Sequence, residues 1–305
     1  MNDWQAQTVA QAQADIDKTK SIEELEPIGT DILLSSQPWY RQACWPVVVR
    51  KRKEFLGEDK PKMLIVDAMN WIRADFSQSQ DMGQAQDSFM RRVRMLEKKV
   101  QPRWIVIASD ERDGLIRKDI CPEYKKSRND RPQEITNIAR VIAASCEFYQ
   151  VPWIQIDGHE ADDVAATMTT RCIVRGGQVV VCTSDKDYYQ IICRGVVAWS
   201  KGEYTNAEGV EEKVGIKPNQ IVDYLCLTGK DDVPSAVGIG PQTAAQWLKE
   251  HGDFIGIYDH RHSLTEKKRE AVEQFAPHYW VARTCHTLNR RLEIDFDWSV
   301  TPVLD

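Results

Sequence analysis

Between residues 61 and 200 the apolar positions come in short runs, and each run stops at a carboxylate. Met63, Leu64, Ile65 and Val66 end at Asp67, and the run 104–109 ends at Asp110. Trp153, Ile154 and Ile156 lead to Asp157 and then to Glu160, Asp162 and Asp163. Val179, Val180 and Val181 lead through Thr183 and Ser184 to Asp185, with Asp187 two residues on. Short β-branched runs of this kind read as buried strands of a parallel sheet. Helical spacing appears between them: Phe89, Val93, Leu96 and Val100 fall on one helical face. A second helix is predicted over 161–175 and is closed by Gly176 and Gly177. This alternation predicts an α/β domain with helices on both faces of a parallel sheet.

Two stretches break the pattern. Residues 1–60 stand apart, with a start rich in Gln, Ala and Asp that reads as a polar helix or as nothing fixed. Trp39, Tyr40 and Trp45 point to some packing there, and the basic run 50–53 fits a solvated surface better than a DNA contact. Between Asp110 and Asn137 the chain is charged and punctuated by proline. A long irregular segment inside a domain is uncommon and usually functional. From about residue 203 short helices are predicted: Pro218 opens one through Leu225, a turn spans 229–240, and Pro241 begins another. The domains expected are therefore an extension at 1–60, a sheet domain at 61–202 and a helical domain at 203–305.

Composition narrows the field modestly. An apolar content of 42% over 305 residues supports a folded core and excludes a disordered chain. The net charge of −6 conceals a local contrast: residues 1–31 hold seven acids against two lysines, and 91–103 hold six bases against one acid. Nucleic-acid contact depends on such patches more than on overall charge. The eight cysteines show no CxxC pair, so buried reduced thiols are expected and zinc is not. No signal peptide or long apolar stretch is visible, which leads to the expectation of a cytoplasmic protein with no membrane partner.

The chemistry lies in the carboxylates. Ligand sites in open α/β sheets form at the carboxyl ends of strands, so the acids gather at one sheet edge. Clustered carboxylates repel each other and resist burial, and divalent cations relieve both problems. Oxygen-only ligands suit Mg²⁺ or Mn²⁺. Taken alone, Glu160 and Asp163 at i, i+3 also fit an acidic helix start favoured by the macrodipole. Together with Asp67, Asp110, Asp162, Asp185 and Asp187 they read as a metal site. Two ions about 4 Å apart would activate water and stabilise both oxygens of a displacement at phosphorus. Tyr124, Lys125, Lys126, Ser127 and Arg128, with Arg117 nearby, are open to two readings. They fit a solvated loop, or a tyrosine stacking on a base among phosphate contacts. Gly238 and Gly240 before Pro241 fit many turns, but a turn followed by a helix start also suits a phosphate.

In combination these motifs resemble the 5′-nuclease family of flap endonucleases, phage 5′→3′ exonucleases and the exonuclease domain of bacterial DNA polymerase I. The resemblance covers about residues 62–295 and rests on 64–67, on Asp110 with Ile116 and Arg117, and on 122–125 with Arg128. It continues through 158–163, 183–187, 208–210, 221–224 and 238–240. It implies a PIN-like α/β domain, a helical arch or clamp above the metals, and a helix–three-turn–helix unit. That unit grips duplex DNA by its backbone, with a K⁺ held by turn carbonyls. On this resemblance Asp67, Asp110, Glu160, Asp162 and Asp163 would organise a first Mg²⁺, for which Mn²⁺ can substitute. Asp185, Asp187 and Asp231 would organise a second. Lys125 and Arg128 would act on the reacting phosphate, and Arg117, Tyr124, Lys126, Gly238, Gly240, Gln242 and Thr243 would meet DNA.

This chain departs from the family in one loop. The family carries Gly-Asp-x-Ser-Asp-Asn there, whereas residues 229–235 are two residues shorter and place Lys230 near a lost carboxylate. Lys230 is expected to point out toward a DNA phosphate, leaving Asp231 to the second metal, in preference to the alternative that its ammonium replaces part of that metal's charge. The activity expected is Mg²⁺-dependent 5′→3′ exonuclease and flap endonuclease hydrolysis of DNA, or of RNA in hybrids, leaving 5′-phosphates. Replication and repair are the settings implied, with a monomer acting on DNA that has 5′ ends or flaps. The shortened loop supports an alternative, a non-catalytic junction binder. A PIN-type ribonuclease is disfavoured, because the helical half suits duplex DNA.

Overall fold

The computed structural model describes residues 1–57, 60–111, 115–129 and 131–300. Five strands run parallel: β1 (Lys62–Asp67), β2 (Trp104–Ala108), β3 (Trp153–Ile154), β4 (Gln178–Cys182) and β5 (Val196–Ser200). A short β6 (Glu203–Thr205) pairs antiparallel with β5, giving the order β3-β2-β1-β4-β5-β6. The sheet thus extends past the boundary expected at residue 202. The run expected over 153–157 pairs only at Trp153 and Ile154.

Side chains of a strand alternate between faces, so β1 feeds two cores. Met63 and Ile65 face one core with Val106, Val164, Met168 and Val181. Leu64 and Val66 face the other with Ile72, Phe89, Val93, Leu96 and Ile138. Neighbouring strands keep the register, with Leu64 beside Ile105 on one side and Val180 on the other.

The N-terminal region forms three helices, α1 (Asp3–Lys18), α2 (Ile22–Leu34) and α3 (Pro38–Leu56), so that of the two readings of its polar start the helix is the one found. They bury Val9, Ile16, Leu25, Ile32, Cys44 and Val48 among themselves. In the sheet domain, α4 (Ala68–Ser79), α5 (Met82–Val100) and α7 (Gln133–Phe148) cover one face. The other face is covered by α8 (Ala161–Val174). Where a helical arch was expected, the described residues hold a five-residue helix, α6 (Ile116–Ile120), followed by turns over 122–127.

The C-terminal half contains α9 (Ala207–Val214), α10 (Ile221–Thr228), α11 (Pro241–His251), α12 (Phe254–Asp259), α13 (Glu266–Phe275) and α14 (Tyr279–His286). Buried Asp223 ties α10 to α14: Tyr279 donates to it at 2.7 Å and Arg283 at 2.8 Å. All eight cysteines are free thiols, and Cys193 alone among them is exposed. Among the described residues no helix is long and apolar enough to cross a membrane.

Candidate active site

Each strand of the sheet centre delivers its carboxylate at the carboxyl end. Asp67 ends β1 and caps α4, accepting from the Asn70 amide at 3.1 Å and from the Thr183 hydroxyl at 2.9 Å. Asp110 follows β2 and accepts from the Ala161 amide at 3.0 Å, with Arg131 at 3.5 Å. Asp185 caps the short 3₁₀ helix Lys186–Ile191 that follows β4. Burial, followed by the neighbouring Asp110 charge, pushes the Asp67 carboxyl from 3.8 to about 7.

Glu160 caps α8 and is surrounded by donors. Arg117 donates to it at 2.9 Å and the Tyr124 hydroxyl at 2.6 Å, and Lys125 pairs with its other oxygen. Burial opposes ionisation of Glu160, but Lys125 and Arg117 outweigh it and hold the carboxyl below its ordinary range. Asp163 accepts from Arg117 and from the Asn289 amide, each at 2.7 Å, and is 1% exposed. That buried oxygen ties α8 to the C-terminal segment, a different setting from the metal role expected of it. Asp162 is pushed well above its ordinary value by burial, and its Oδ1 is buried without a hydrogen-bond partner.

Two residues expected to touch DNA sit inside the protein. Arg117 is 8% exposed, and its guanidinium joins Glu160, Asp163 and the Cys285 carbonyl. Tyr124 is 3% exposed and spends its hydroxyl on Glu160, so its ring offers no stacking face to a base. Lys126 is exposed and pairs with Glu123 at 2.9 Å.

The loop after α10 holds the largest difference from expectation. Lys230 turns inward, with its ammonium 2.6 Å from Asp187 and 3.0 Å from Asp185. Burial opposes that charge, but Asp187 and Asp185 outweigh it and raise the lysine above its ordinary value. Asp187 is pushed to about 6, first by burial and then by Asp185, and its Oδ1 is buried without a partner. Asp231 pairs with Arg128, and its carbonyl accepts from the Lys125 amide at 2.8 Å. The Asp232 carboxylate accepts from the Ser127 amide at 2.7 Å. These contacts fasten the segment 125–128 to the loop.

The donor set around Asp67, Asp110 and Asp162 fits a hard divalent cation. It is all oxygen, two of its carboxyls resist ionisation, and one buried oxygen lacks a partner. At Asp185, Asp187 and Asp231 the fit fails, because Lys230 or Arg128 holds each carboxylate in direct contact, whereas Arg131 and Arg117 stand back at 3.5 and 3.8 Å from Asp110 and Asp162. Among the described residues no three acids, histidines or cysteines converge into a ready coordination group. Beside the cluster, α10, a turn and α11 follow in order. Gly238 takes φ +84° in that turn, Gly240 caps α11, and Gln242 and Thr243 lie in its first turn. Sequence reasoning passed over Asn70, whose amide oxygen accepts from the Ser184 amide at 3.1 Å and hydroxyl at 3.0 Å. Its place three residues after Asp67, in the first turn of a helix, was the available signal.

Comparison with known proteins agrees with this architecture. Residues 62–215 match the family model described as a 5′-3′ exonuclease N-terminal resolvase-like domain. Residues 216–303 match the 5′-3′ exonuclease C-terminal SAM fold. A DNA polymerase I from Rhizobium leguminosarum is 31% identical over 188 residues, 60% of this chain but 18% of the polymerase. A flap endonuclease Xni from Shewanella piezotolerans is 28% identical over 219 residues, 70% of this chain and 86% of the relative. Zinc-bound T5 5′-exonuclease superposes with a TM-score of 0.68 at 19% identity, covering 75% of this chain and 90% of the phage enzyme. The DNA-bound catalytic core of Rad2 gives a TM-score of 0.53 at 17% identity over 81% and 84% of the two chains. These two likenesses concern the fold. With both family models matched in sequence order across the sheet and the C-terminal helices, the chain belongs to the 5′-3′ exonuclease family of 5′ nucleases.

Proposed function

We propose that this chain is a Mg²⁺-dependent 5′→3′ exonuclease and flap endonuclease that cuts DNA at 5′ ends and flaps and leaves 5′-phosphates. The observation that carries this reading is the row of carboxylates at the carboxyl edge of β1, β2 and β4, with Lys125 and Arg128 fastened beside it. The naming of similar proteins as flap endonuclease Xni points the same way.

Asp67, Asp110 and Asp162 would hold the metal, which when bound would supply a water more acidic than bulk water. In the hydrolysis a water oxygen bonds to phosphorus and the P–O3′ bond breaks. One water proton leaves to solvent and the 3′ oxygen gains one. Lys125 and Arg128 leave Glu160 and Asp231 to meet the phosphate and offset its growing charge. The start of α11, with Gly238, Gly240, Gln242 and Thr243, would take a duplex phosphate on its free amides. A K⁺ at that turn belongs to the same reading, as does action by a monomer.

One observation favours a non-catalytic junction binder: Lys230 occupies the Asp185–Asp187 pair. A cleavage assay with 5′-flap, nicked, single-stranded and RNA–DNA hybrid substrates, with Mg²⁺ or EDTA, separates the two readings. The expected result is Mg²⁺-dependent release of 5′-phosphorylated product from flaps. Tight flap binding with no cleavage would sink the nuclease reading.

A further inference from the structure

We propose that the Lys230 ammonium serves as a built-in cation at Asp185 and Asp187, so that the chain binds one divalent ion in place of two. The inference rests on the metal-dependent reading above and specifies how that site is charged.

Three observations carry it. Lys230 Nζ lies 3.0 and 3.3 Å from the two oxygens of Asp185 and 2.6 Å from Asp187 Oδ2, with 27% of the side chain exposed. It is therefore held by two carboxylates and does not sweep through solvent. Asp231, the remaining acid of that side, is engaged by Arg128. The loop itself is built to aim the lysine inward. Gly229 takes φ +79°, and a Cβ there would lie 2.8 Å from the Ser235 hydroxyl. Val233 N–H closes a turn on the Lys230 carbonyl at 3.1 Å, and Asp231 and Asp232 both adopt φ near +60°. Asn and Asp tolerate that left-handed conformation better than most residues.

An ammonium has a compact charge and three donors, enough to satisfy both carboxylates. A second Mg²⁺ would have to shed water, which it does reluctantly, and break both charge-assisted contacts. It would also leave the lysine charge beside it. The tethered cation needs neither step. Once substrate enters, Lys230 can donate to a phosphate oxygen while remaining on Asp187. It cannot ionise water, so water activation falls to the ion at Asp67, Asp110 and Asp162.

Counting bound Mn²⁺ by electron paramagnetic resonance on the full chain, without DNA, tests this apart from activity. The native protein should hold about one ion, whereas Lys230→Ala and Lys230→Met should hold about two. Lys230→Arg should stay near one. Circular dichroism checks that each variant is folded, and the methionine variant keeps the stem if alanine does not fold. Two ions of similar affinity in the native chain would overturn the proposal, as would a count that stays at one in both neutral variants. A native chain that binds no ion would overturn this proposal and the metal-dependent reading together. Failure to cleave any flap with one ion bound would sink the nuclease reading alone.

Discussion

In the proposed metal site Asp67 would serve as an anion, in a place that disfavours one. Its carboxyl titrates near 7 in the folded chain against an ordinary 3.8, and Asp187 near 6. Between those limits the metal-free native state binds more protons than the unfolded chain does. The stabilisation from each raised group is full below about pH 4 and is lost as pH rises through its folded value. The metal-free protein should therefore melt at lower temperature near pH 8 than near pH 5, and Mg²⁺ should raise the midpoint more at the higher pH. Thermal unfolding in EDTA and in Mg²⁺ measures both, and an equal Mg²⁺ effect at the two pH values would rule out this account. Asp67→Asn should flatten the EDTA profile and slow cleavage by about 100-fold or more. The position of Asp67 was legible in the sequence because a β-branched run has a definite end. The inward turn of Lys230 was not, since no periodicity governs a loop residue and a long stem can point either way.

At the level of elements, α6 and the turns after it are held by charge as well as by the apolar burial of Leu115, Cys121 and Tyr124. Arg117 links α6 to the start of α8 and to the end of α14 through Glu160, Asp163 and the Cys285 carbonyl. Removing one partner of a buried ion pair leaves the others uncompensated. Arg117→Ala should therefore cost about 3–5 kcal/mol in denaturant unfolding. Lys126→Ala, in an exposed pair next along the chain, should change stability by less than about 0.5 kcal/mol. Similar losses for the two would contradict the assignment of Arg117 to the interior. Strand and helix positions could be read from period, as for Phe89, Val93, Leu96 and Val100, all buried in α5. Arg117 and Tyr124 could not, because a charged irregular segment carries no signal for which side chains turn inward.

Over the whole molecule, the N-terminal bundle docks at the end of α8 opposite the acid cluster. Glu26 is buried there, pairing with Arg171 and with Arg175 at 2.5 Å. A Cβ at Gly29 would come within 2.7 Å of Val174. Gly29→Val should loosen this docking, so that limited proteolysis removes the bundle faster while flap cleavage changes less than about twofold. A large loss of cleavage with the bundle still protected would mean that it supports the site directly. The bundle was hidden in a polar composition: a few well-spaced residues such as Ile16, Leu25 and Ile32 make its core.

The link from Arg117 and Asp163 to residues 285–289 also has a consequence for synthesis. The strands that carry Asp67, Asp110 and Asp185 leave the ribosome well before Cys285 and Asn289. Until residues 285–289 arrive, Arg117 lacks the Cys285 carbonyl and Asp163 the Asn289 amide that help to hold them. A nascent chain would then be inert toward nucleic acid around it, including its own messenger. Chains stalled before residue 285 should show no Mg²⁺-dependent cutting, and chains extended past residue 289 should gain it. Cutting by the stalled chain would show that this link is dispensable.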